Sequence, residues 1–361
     1  MGRGVLEAAG LSRLETVLAA HVHDGAVPGV VALVARGDEV HAQVHGAADR
    51  GALRRDALFR LGELSGAVTA TAAVLLVQEC AIGLDDPVAR WLPELAELQV
   101  ASDDDVTEPA RRPVVVRDLL TMTAGLPALP IATRDGQLEP DEWLRRLAEL
   151  PLAHQPGLRW AAGSEADVLG VLLARAVGEP LGEVLRTRLF EPLGMADTGF
   201  RAEPERLGSA YAHHPESGAL VLADSPWNGR HSAEPVFESG ADGLLSTADD
   251  VLALHRALLG ERPDVLCRSA AGLITSDLLT DGQRAGLPEP AWGFGLGVDV
   301  RVRRTDFAGV GQFGRRAALG ASAFSDPGCG LTGVLLTSVA LDHADSRRLH
   351  RDFWTAAYQA V

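Results

Sequence analysis

Strand-forming segments lie at both ends of this chain, and mostly helical sequence lies between them. Residues 27–45 hold two β-rich runs on either side of a Gly-Asp turn, which predicts a β-hairpin. Strand character returns near the other end, in residues 292–302, 320–327 and 330–340. Because residues 115–205 are mostly helical in pattern, we predict an α+β fold, an antiparallel sheet with an inserted helical region.

Three more segments are predicted to be helices that flank or fill this sheet. Residues 6–21 are patterned as an amphipathic helix, and residues 343–361 close the chain as another helix. Residues 64–80 are too long, and too rich in alanine and leucine, for a strand. We therefore expect a buried helix there.

The length and the hydrophobic content bound the number of domains. The chain has 361 residues, 47% of them hydrophobic, which is ample for a packed core in one large domain or two intimate ones. We predict a sheet domain from residues 1–60 together with 230–361, and a helical domain from residues 61–229. A cleft that resembles an active site is expected between the two.

The basic residues restrict both the chemistry and the partners of the chain. All 33 of them are arginines, because the sequence contains no lysine. No step can therefore use a lysine as base, nucleophile or Schiff-base former. The net charge of −16 at pH 7 repels phosphate backbones, and no basic cluster offsets it, so nucleic-acid binding is not expected.

The cysteines and the N-terminal segment predict a cytoplasmic protein without a metal, a cofactor or a membrane anchor. Cys80, Cys267 and Cys329 are far apart and show no metal-ligand spacing, so we expect reduced thiols. Residues 1–20 mix charges with apolar residues unlike a signal peptide, and no stretch approaches a membrane span. The acidic run at residues 103–105 lacks the spacing of a calcium loop.

Several segments occur in the order typical of one family of hydrolases. They are "FRLG" (59–62), "GLDDPVARWLPEL" (83–95), "VVVRDLLTMTAGLP" (114–127), "PGLRW" (156–160), "LFEPLGMADTGF" (189–200), "SGADGLLSTADDVLALHRALL" (239–259) and "WGFGLG" (292–297). Over almost its whole length the chain resembles the serine β-lactamase-like and penicillin-binding hydrolases, in the branch of class C β-lactamases, esterases and D-aminopeptidases. The resemblance implies the same α+β fold and a site between its two regions.

The first family motif, Ser-x-x-Lys, supplies the nucleophile and its base at the start of a helix. The alignment of the flanking segments puts Glu63 at the serine and Gly66 at the lysine. Ser65 is a poor substitute, because Val68 follows it by three residues and no lysine exists anywhere. We expect the Ser65 hydroxyl to form hydrogen bonds near the helix start instead.

The other two motifs are also absent at the aligned positions. Where the family has Tyr-x-Asn, this chain has Ala162 and Ser164, or, with the gap placed earlier, a deleted tyrosine and Gly163. Where the family has Lys-Thr-Gly or His-x-Gly, the chain has Arg315 and, at the glycine, Ala317. The resemblance therefore implies that family-type acyl-enzyme chemistry is lost together with its nucleophile, base and proton relay.

Two interpretations of Glu63 follow from its place in the family register. In the first, the carboxylate satisfies free N–H groups at a helix start, which the family uses near positions 63 and 317 to bind an oxyanion, and pairs with Arg315 or Arg316. In the second, Glu63 is a general acid/base for a non-covalent reaction such as isomerisation, elimination, dehydration or cyclisation. Residues alone leave both open.

The remaining candidate residues would line the pocket around a small molecule. Arg315 would hold an anionic or carbonyl group, with Trp160 and Trp292 as apolar walls and Ser164 nearby. The segment "SPWNGRHSAEP" (225–235) aligns with the rim of the family cleft. It adds three candidate contacts, Trp227, Asn228 and His231. A solvated loop is the plainer interpretation of that segment.

Two classes of function therefore remain. The first expectation is a repurposed non-covalent enzyme that acts on a small biosynthetic metabolite, with Glu63 as acid/base or as the activator of a water molecule. The alternative is a catalytically inactive pseudoenzyme that binds a small molecule or regulates a partner.

Overall fold

A computed structural model of the chain describes residues 5–49, 51–102, 106–133 and 136–361, so the acidic run at 103–105 lies outside the described residues. The helices are α1 (Ala8–His23), α2 (Leu64–Gln78), α3 (Val116–Leu120), α4 (Pro140–Ala148), α5 (Glu165–Val177), α6 (Leu181–Leu185), α7 (Glu191–Leu193), α8 (Ala248–Leu258), α9 (Arg268–Ile274), α10 (Asp281–Arg284) and α11 (Ala344–Ala357).

The strands in the first half are β1 (Gly29–Arg36), β2 (Glu39–Ala48), β3 (Gly51–Ala52), β4 (Phe59–Arg60), β5 (Gln99–Ala101), β6 (Thr107–Pro109), β7 (Ala132–Thr133) and β8 (Gly136–Gln137). Those in the second half are β9 (Ala210–His213), β10 (Leu220–Asp224), β11 (Leu245–Ser246), β12 (Trp292–Phe294), β13 (Asp299–Arg301), β14 (Phe313–Arg316), β15 (Ala321–Asp326) and β16 (Leu331–Thr337). The strands outside the main sheet, β4 to β11, belong to short two-stranded ribbons.

One antiparallel sheet joins the two ends of the chain. Its strand order is β12-β13-β14-β15-β16-β1-β2-β3, and β1 pairs with β16 so that Leu33 lies opposite Val334. The N-terminal hairpin thus completes a sheet that the C-terminal strands begin. The predicted α+β architecture, with a helical region inserted between the two halves of the sheet, is confirmed.

The sheet is covered on both faces. Val31 and Leu33 of β1 join a core with the inserted helices, whereas Val30 and Val34 join a second core with the terminal helices α1 and α11. This alternation follows from the two-residue period of a strand, and it explains why β1 is apolar on both sides. Helix α2 is buried almost all round, as expected for a central helix of the larger core.

The strand character predicted in residues 292–302 is present in the structure. The structure divides it into β12 and β13, which pair with each other as a hairpin. Gly297 has a φ of +78° in the intervening turn, a conformation that a side chain disfavours, and its N–H donates to Leu120 O at 2.9 Å. The glycines of this segment therefore reverse the chain.

The remaining sequence expectations concern domains and membranes. The terminal helices and the helix predicted at 64–80 are present, the last as Leu64–Gln78. The division into a sheet domain and a helical domain stays a prediction. Among the described residues, no helix combines the length and the apolar character that a membrane span needs.

Candidate functional site

Glu63 lies directly before helix α2, beside the turn that follows β14. Gly62 has a φ of +53°, and a Cβ atom there would lie 2.9 Å from the Cβ of Ala317. This close approach brings the helix start against the turn. The N–H of Ala318 donates a hydrogen bond of 2.9 Å to Oε2 of Glu63, whose side chain is half-buried.

The Glu63–Ala318 bond is the contact expected if the carboxylate fills the place of a bound oxyanion. The family register puts an N–H donor of that kind close to position 317, and the donor in the structure belongs to the next residue. A backbone N–H that already donates to a carboxylate is not free for a substrate oxygen. The role of Glu63 itself stays a prediction.

The predicted ion pair between Glu63 and Arg315 or Arg316 is not what the structure shows. Nη1 of Arg315 lies 3.3 Å from Oδ1 of Asp299, and Arg316 lies 3.7 Å from Glu289. The reason is geometric. Asp299 in β13 and Arg315 in β14 lie on neighbouring strands of one sheet, whereas Glu63 reaches the backbone of the following turn.

Asp299 is a site residue that the sequence interpretation missed. Burial raises the pKa of its carboxyl group, the charges of Arg315 and Arg316 oppose the rise, and those of Glu289 and Glu63 add to it. The side chain is 28% exposed. An acid between two valines of a predicted strand was the available signal. We call Glu63, Asp299, Arg315 and Ala318 the Glu63 corner.

Of the two predicted aromatic walls, Trp160 is connected to the Glu63 corner through the fully buried ring of Phe294. The Trp160 ring lies 5.8 Å from the Phe294 ring, and the Arg315 guanidinium lies 5.1 Å from the centre of the same Phe294 ring. Nε of Arg315 and Nε1 of Trp160 are both buried without a hydrogen-bond partner among the described residues. The Phe294 ring is an acceptor surface for such N–H groups.

Trp292 packs against other aromatic side chains, and its predicted role as a pocket wall stays a prediction. Its ring lies 5.5 Å from that of Phe324 and carries the guanidinium of Arg301 at 4.4 Å. Phe324 in turn contacts Trp354 of α11. Trp292 thus belongs to the aromatic cluster under the terminal helix, whereas Phe294, two residues later, is the fully buried neighbour of Arg315.

Ser164 is structural rather than exposed to a ligand. Its buried hydroxyl donates to Pro127 O at 2.8 Å and accepts from the N–H of Leu129 at 3.0 Å. The hydroxyl proton and one lone pair of the oxygen therefore hold the loop at residues 127–129 against the start of α5. The predicted substrate contact of Ser164 is not supported by this geometry.

Glu165, the first residue of α5, is a second acid that the sequence interpretation missed. The side chain is fully buried, Oε1 accepts from the N–H of Leu126 at 3.3 Å, and Oε2 has no partner among the described residues. Burial raises the pKa of Glu165 to about 8, with backbone N–H groups opposing the rise. Glu165 is therefore protonated at neutral pH. In the sequence it looks like an ordinary acid of a first helical turn.

The three candidates on the 225–235 segment separate into exposed and buried residues. Trp227, at 40% exposure, and Asn228 lie on the surface, as the solvated-loop interpretation predicts. His231 is buried, its Nδ1 lies 3.2 Å from Phe200 O, and burial lowers its pKa to about 4. His231 is therefore a neutral packing residue, and its predicted ligand contact is wrong.

Ser65 and Gly66, next to Glu63 in the segment aligned with the Ser-x-x-Lys motif, provide neither an exposed nucleophile nor a base. Ser65 is buried, and its hydroxyl accepts from the N–H of Leu244 at 3.1 Å, so it is not an exposed nucleophile. Gly66 leaves space for a methyl group, since an added Cβ atom would meet only Ala166, at 3.7 Å.

Among the described parts of the chain, no three His, Cys, Asp or Glu residues are grouped to hold a metal ion.

Comparison with known proteins identifies relatives along nearly the whole chain. The family model described as Beta-lactamase matches residues 14–353. Esterase EstB of Burkholderia gladioli is 34% identical over 93% of each chain. The structure of EstCE1, a hydrolase with promiscuous acyltransferase activity, has a TM-score of 0.82 and 28% identity, over 97% of this chain and 98% of that one. Simvastatin synthase LovD of Aspergillus terreus, at 22% identity, shares the fold with a TM-score of 0.83 over 97% and 98% of the two chains.

Proposed function

The chain belongs to the β-lactamase family, and we propose that it is a small-molecule-binding member of that family that forms no acyl-enzyme. The observation that carries the proposal is the 2.9 Å hydrogen bond from the N–H of Ala318 to Oε2 of Glu63. The carboxylate stands at the position that the family register assigns to the nucleophile, and it occupies a donor that would otherwise bind the substrate oxygen.

The absence of an activating base supports the same proposal. A serine hydroxyl attacks a carbonyl only when a neighbouring group takes its proton, and this family uses a lysine and a tyrosine for that purpose. The sequence has no lysine, and Ala162 stands at the aligned tyrosine. The serine nearest to the motif, Ser65, is buried and hydrogen-bonded to the backbone of residue 244.

The relatives explain the scaffold without supplying the activity. EstB is named an esterase, and EstCE1 a hydrolase with promiscuous acyltransferase activity. Those names describe the activities of the two relatives, and we do not assign either activity to this chain. For this chain we propose that the surface where the start of α2 meets the turn after β14 is kept for binding, with the half-buried Trp160 ring, which packs on the fully buried Phe294, as its apolar side.

Covalent labelling tests the proposal directly. We expect no adduct after incubation with a fluorophosphonate or a penicillin probe, measured by intact-protein mass spectrometry. A related esterase that has the Ser-x-x-Lys motif serves as the positive control. A covalent adduct on any serine of this protein would show that an acyl-enzyme can form, and would overturn the proposal.

A second candidate function is acid/base catalysis by Glu63 on a bound metabolite. It is favoured by one observation: the half-buried carboxylate has no arginine partner among the described residues, so one of its oxygens can meet a proton of a ligand. Glu63→Gln separates the two candidates, since the amide oxygen can still accept from the N–H of Ala318. For a metabolite found by thermal-shift screening, a binding protein shows no turnover in either form, whereas an acid/base enzyme turns the metabolite over and loses the activity in Glu63→Gln.

A further inference from the structure

A groove outside the Glu63 corner lies between the terminal helices and the β9–β10 hairpin. The end of α1, the hairpin and one side of α11 form its walls, and its volume is about 480 Å³, within the range of natural binding sites. Leu220, the first residue of β10, is part of the wall. The groove is therefore continuous with the strand at the outer edge of the hairpin.

A buried histidine presents a free ring nitrogen to this groove. His213 lines the groove, although only 6% of its side chain is exposed. Its Nδ1 lies 2.6 Å from Oδ1 of Asp342, and a carboxylate in that position fixes the ring hydrogen on Nδ1. Nε2 has no hydrogen-bond partner among the described residues, so its lone pair is available to a donor in the groove.

The charged groups of the groove are mainly carboxylates. Asp352 is paired with Arg348 at 3.4 Å, whereas Asp24 and Asp345 have no arginine partner in the described part of the chain. An ammonium or guanidinium group has several N–H donors and no acceptor. Such a group suits a wall of carboxylate oxygens and an imidazole lone pair, and an anion does not.

Strand β10, beside the groove, has an open edge. Within the described structure it pairs with β9 alone. The N–H of His214 donates to Ala219 O at 2.8 Å, and the residue pairs of an antiparallel ladder alternate between bonded and unbonded. The register therefore makes Leu220 and Leu222 turn their N–H and C=O groups away from β9. On β9 the same outward groups, at Tyr211, bond to the segment after β16.

The open edge is also apolar. Val221 and Leu222 are 41% and 60% exposed. Residues 220–223 include neither a proline nor a charge, the features that usually protect an edge strand. Unpaired backbone groups beside exposed apolar side chains are the surface that an added strand covers.

We infer that this edge and groove bind an extended peptide segment of another protein, one that adds a strand to β10 and carries a lysine or arginine. Its backbone would pair with the outward groups of Leu220 and Leu222, and its cation would meet the carboxylates and the free imidazole nitrogen of the groove. The net charge of −16 repels a second copy of this chain and attracts a basic segment. The groove shares no residue with the Glu63 corner, so this binding is independent of the proposed function.

The test uses three pentapeptides with blocked ends, titrated at pH 7 into the full chain. The first has the sequence Thr-Val-Lys-Val-Thr, and the second has glutamate in place of lysine. The third is the lysine peptide with its three central nitrogens methylated, so that neither of its edges can pair with a strand. Backbone amide signals of Leu220 and Leu222 report binding by NMR. We expect the lysine peptide to bind about tenfold more tightly than either of the others.

The double variant Asp24→Asn, Asp345→Asn tests the charge of the groove. We expect the preference for the lysine over the glutamate peptide to fall to about twofold or less, because the unmatched carboxylates are gone. Asp264→Asn is the matched control, since this exposed carboxylate lies outside the groove wall, and it should keep the preference. If the double variant does not fold, raising the salt concentration for the wild type should reduce the preference in the same way.

Three results would overturn the inference: no saturable shift of the Leu220 and Leu222 signals with the lysine peptide, equal affinity for the lysine and glutamate peptides, or equal affinity for the methylated peptide. Sedimentation of the free protein as a dimer that Leu222→Glu separates would also overturn it, because a second copy would then occupy the edge. None of these measurements depends on covalent labelling, which tests the proposed function alone.

Discussion

The starts of helices α2 and α5 both hold a glutamate that faces backbone N–H groups, and the two sites differ in their access to water. Glu63, before α2, is half-buried and takes one N–H, from Ala318. Glu165, the first residue of α5, is fully buried under the loop at residues 125–126, and its pKa is raised to about 8. Glu63 is therefore accessible to solvent, whereas Glu165 is not.

The glycines near these two acids, Gly66 and Gly163, differ in the room that their surroundings leave for a side chain. A Cβ atom on Gly66 would meet only a side-chain carbon at 3.7 Å, whereas a Cβ atom on Gly163 would lie 2.0 Å from Leu126 O. There is room for a methyl group beside Gly66, and there is none beside Gly163. The complete burial of Glu165 explains why its carboxyl group is neutral.

The largest effect is expected from Gly163→Ala. The new methyl group would collide with a backbone oxygen that cannot move away like a flexible side chain, so the loop at 125–126 must shift. We expect a loss of about 3 kcal/mol or more in the free energy of unfolding, measured by urea denaturation. Gly199→Ala is the control, because a Cβ atom there would meet nothing within 4 Å. Equal stabilities for both variants would show that there is room for a methyl group beside Gly163.

The next effect concerns pH and Glu165. Its pKa in the folded state, about 8, is raised above the usual value of 4.5 for a glutamate, so the folded protein keeps a proton that the unfolded chain releases. The stability of the wild type should therefore fall as pH rises from about 4.5 through about 8. Glu165→Gln cannot lose a proton there and should be more stable than the wild type by about 4–5 kcal/mol at pH 9, and by less than about 1 kcal/mol at pH 5.

Denaturation curves of both proteins across this pH range check the prediction. A constant difference between wild type and Glu165→Gln at every pH would mean that the Glu165 carboxyl group does not change its protonation on folding. Glu165 would then be as well solvated as a surface acid, and the stated difference in solvent access between Glu63 and Glu165 would be wrong.

The smallest effect is expected from Gly66→Ala. Alanine is favoured over glycine within a helix, and the neighbouring Ala166 at 3.7 Å leaves room for the methyl group. We expect the variant to gain roughly 0.5–1 kcal/mol in unfolding free energy. Gly170→Ala in α5 is the matched control, since its Cβ atom would lie 2.9 Å from Leu181, and it should lose stability. Destabilisation by Gly66→Ala would show that position 66 is not vacant.

Much of the fold was predictable from the sequence, and less of the site. The terminal hairpin and the central apolar helix follow from local patterns that need no knowledge of neighbours, and both are present. Strand character was also predicted in residues 292–302, but not its division into two strands by the turn at Gly297, because glycines that tolerate a strand also permit a turn. Apolar and charged residues were predicted at the site, but their partners were not.

The sequence by itself determined the α+β architecture and the absence of lysine, and through the family register it predicted Glu63 at the start of the central helix. These depend on residue order, on composition and on periods of two or 3.6 residues. Tertiary structure alone decided that Arg315 pairs with Asp299, that Trp292 turns to the terminal helix, and that Glu165 is sealed from water. The physical reason is that pairing and burial depend on which strands and loops meet in space. The residues next to a side chain in the sequence do not determine these tertiary contacts.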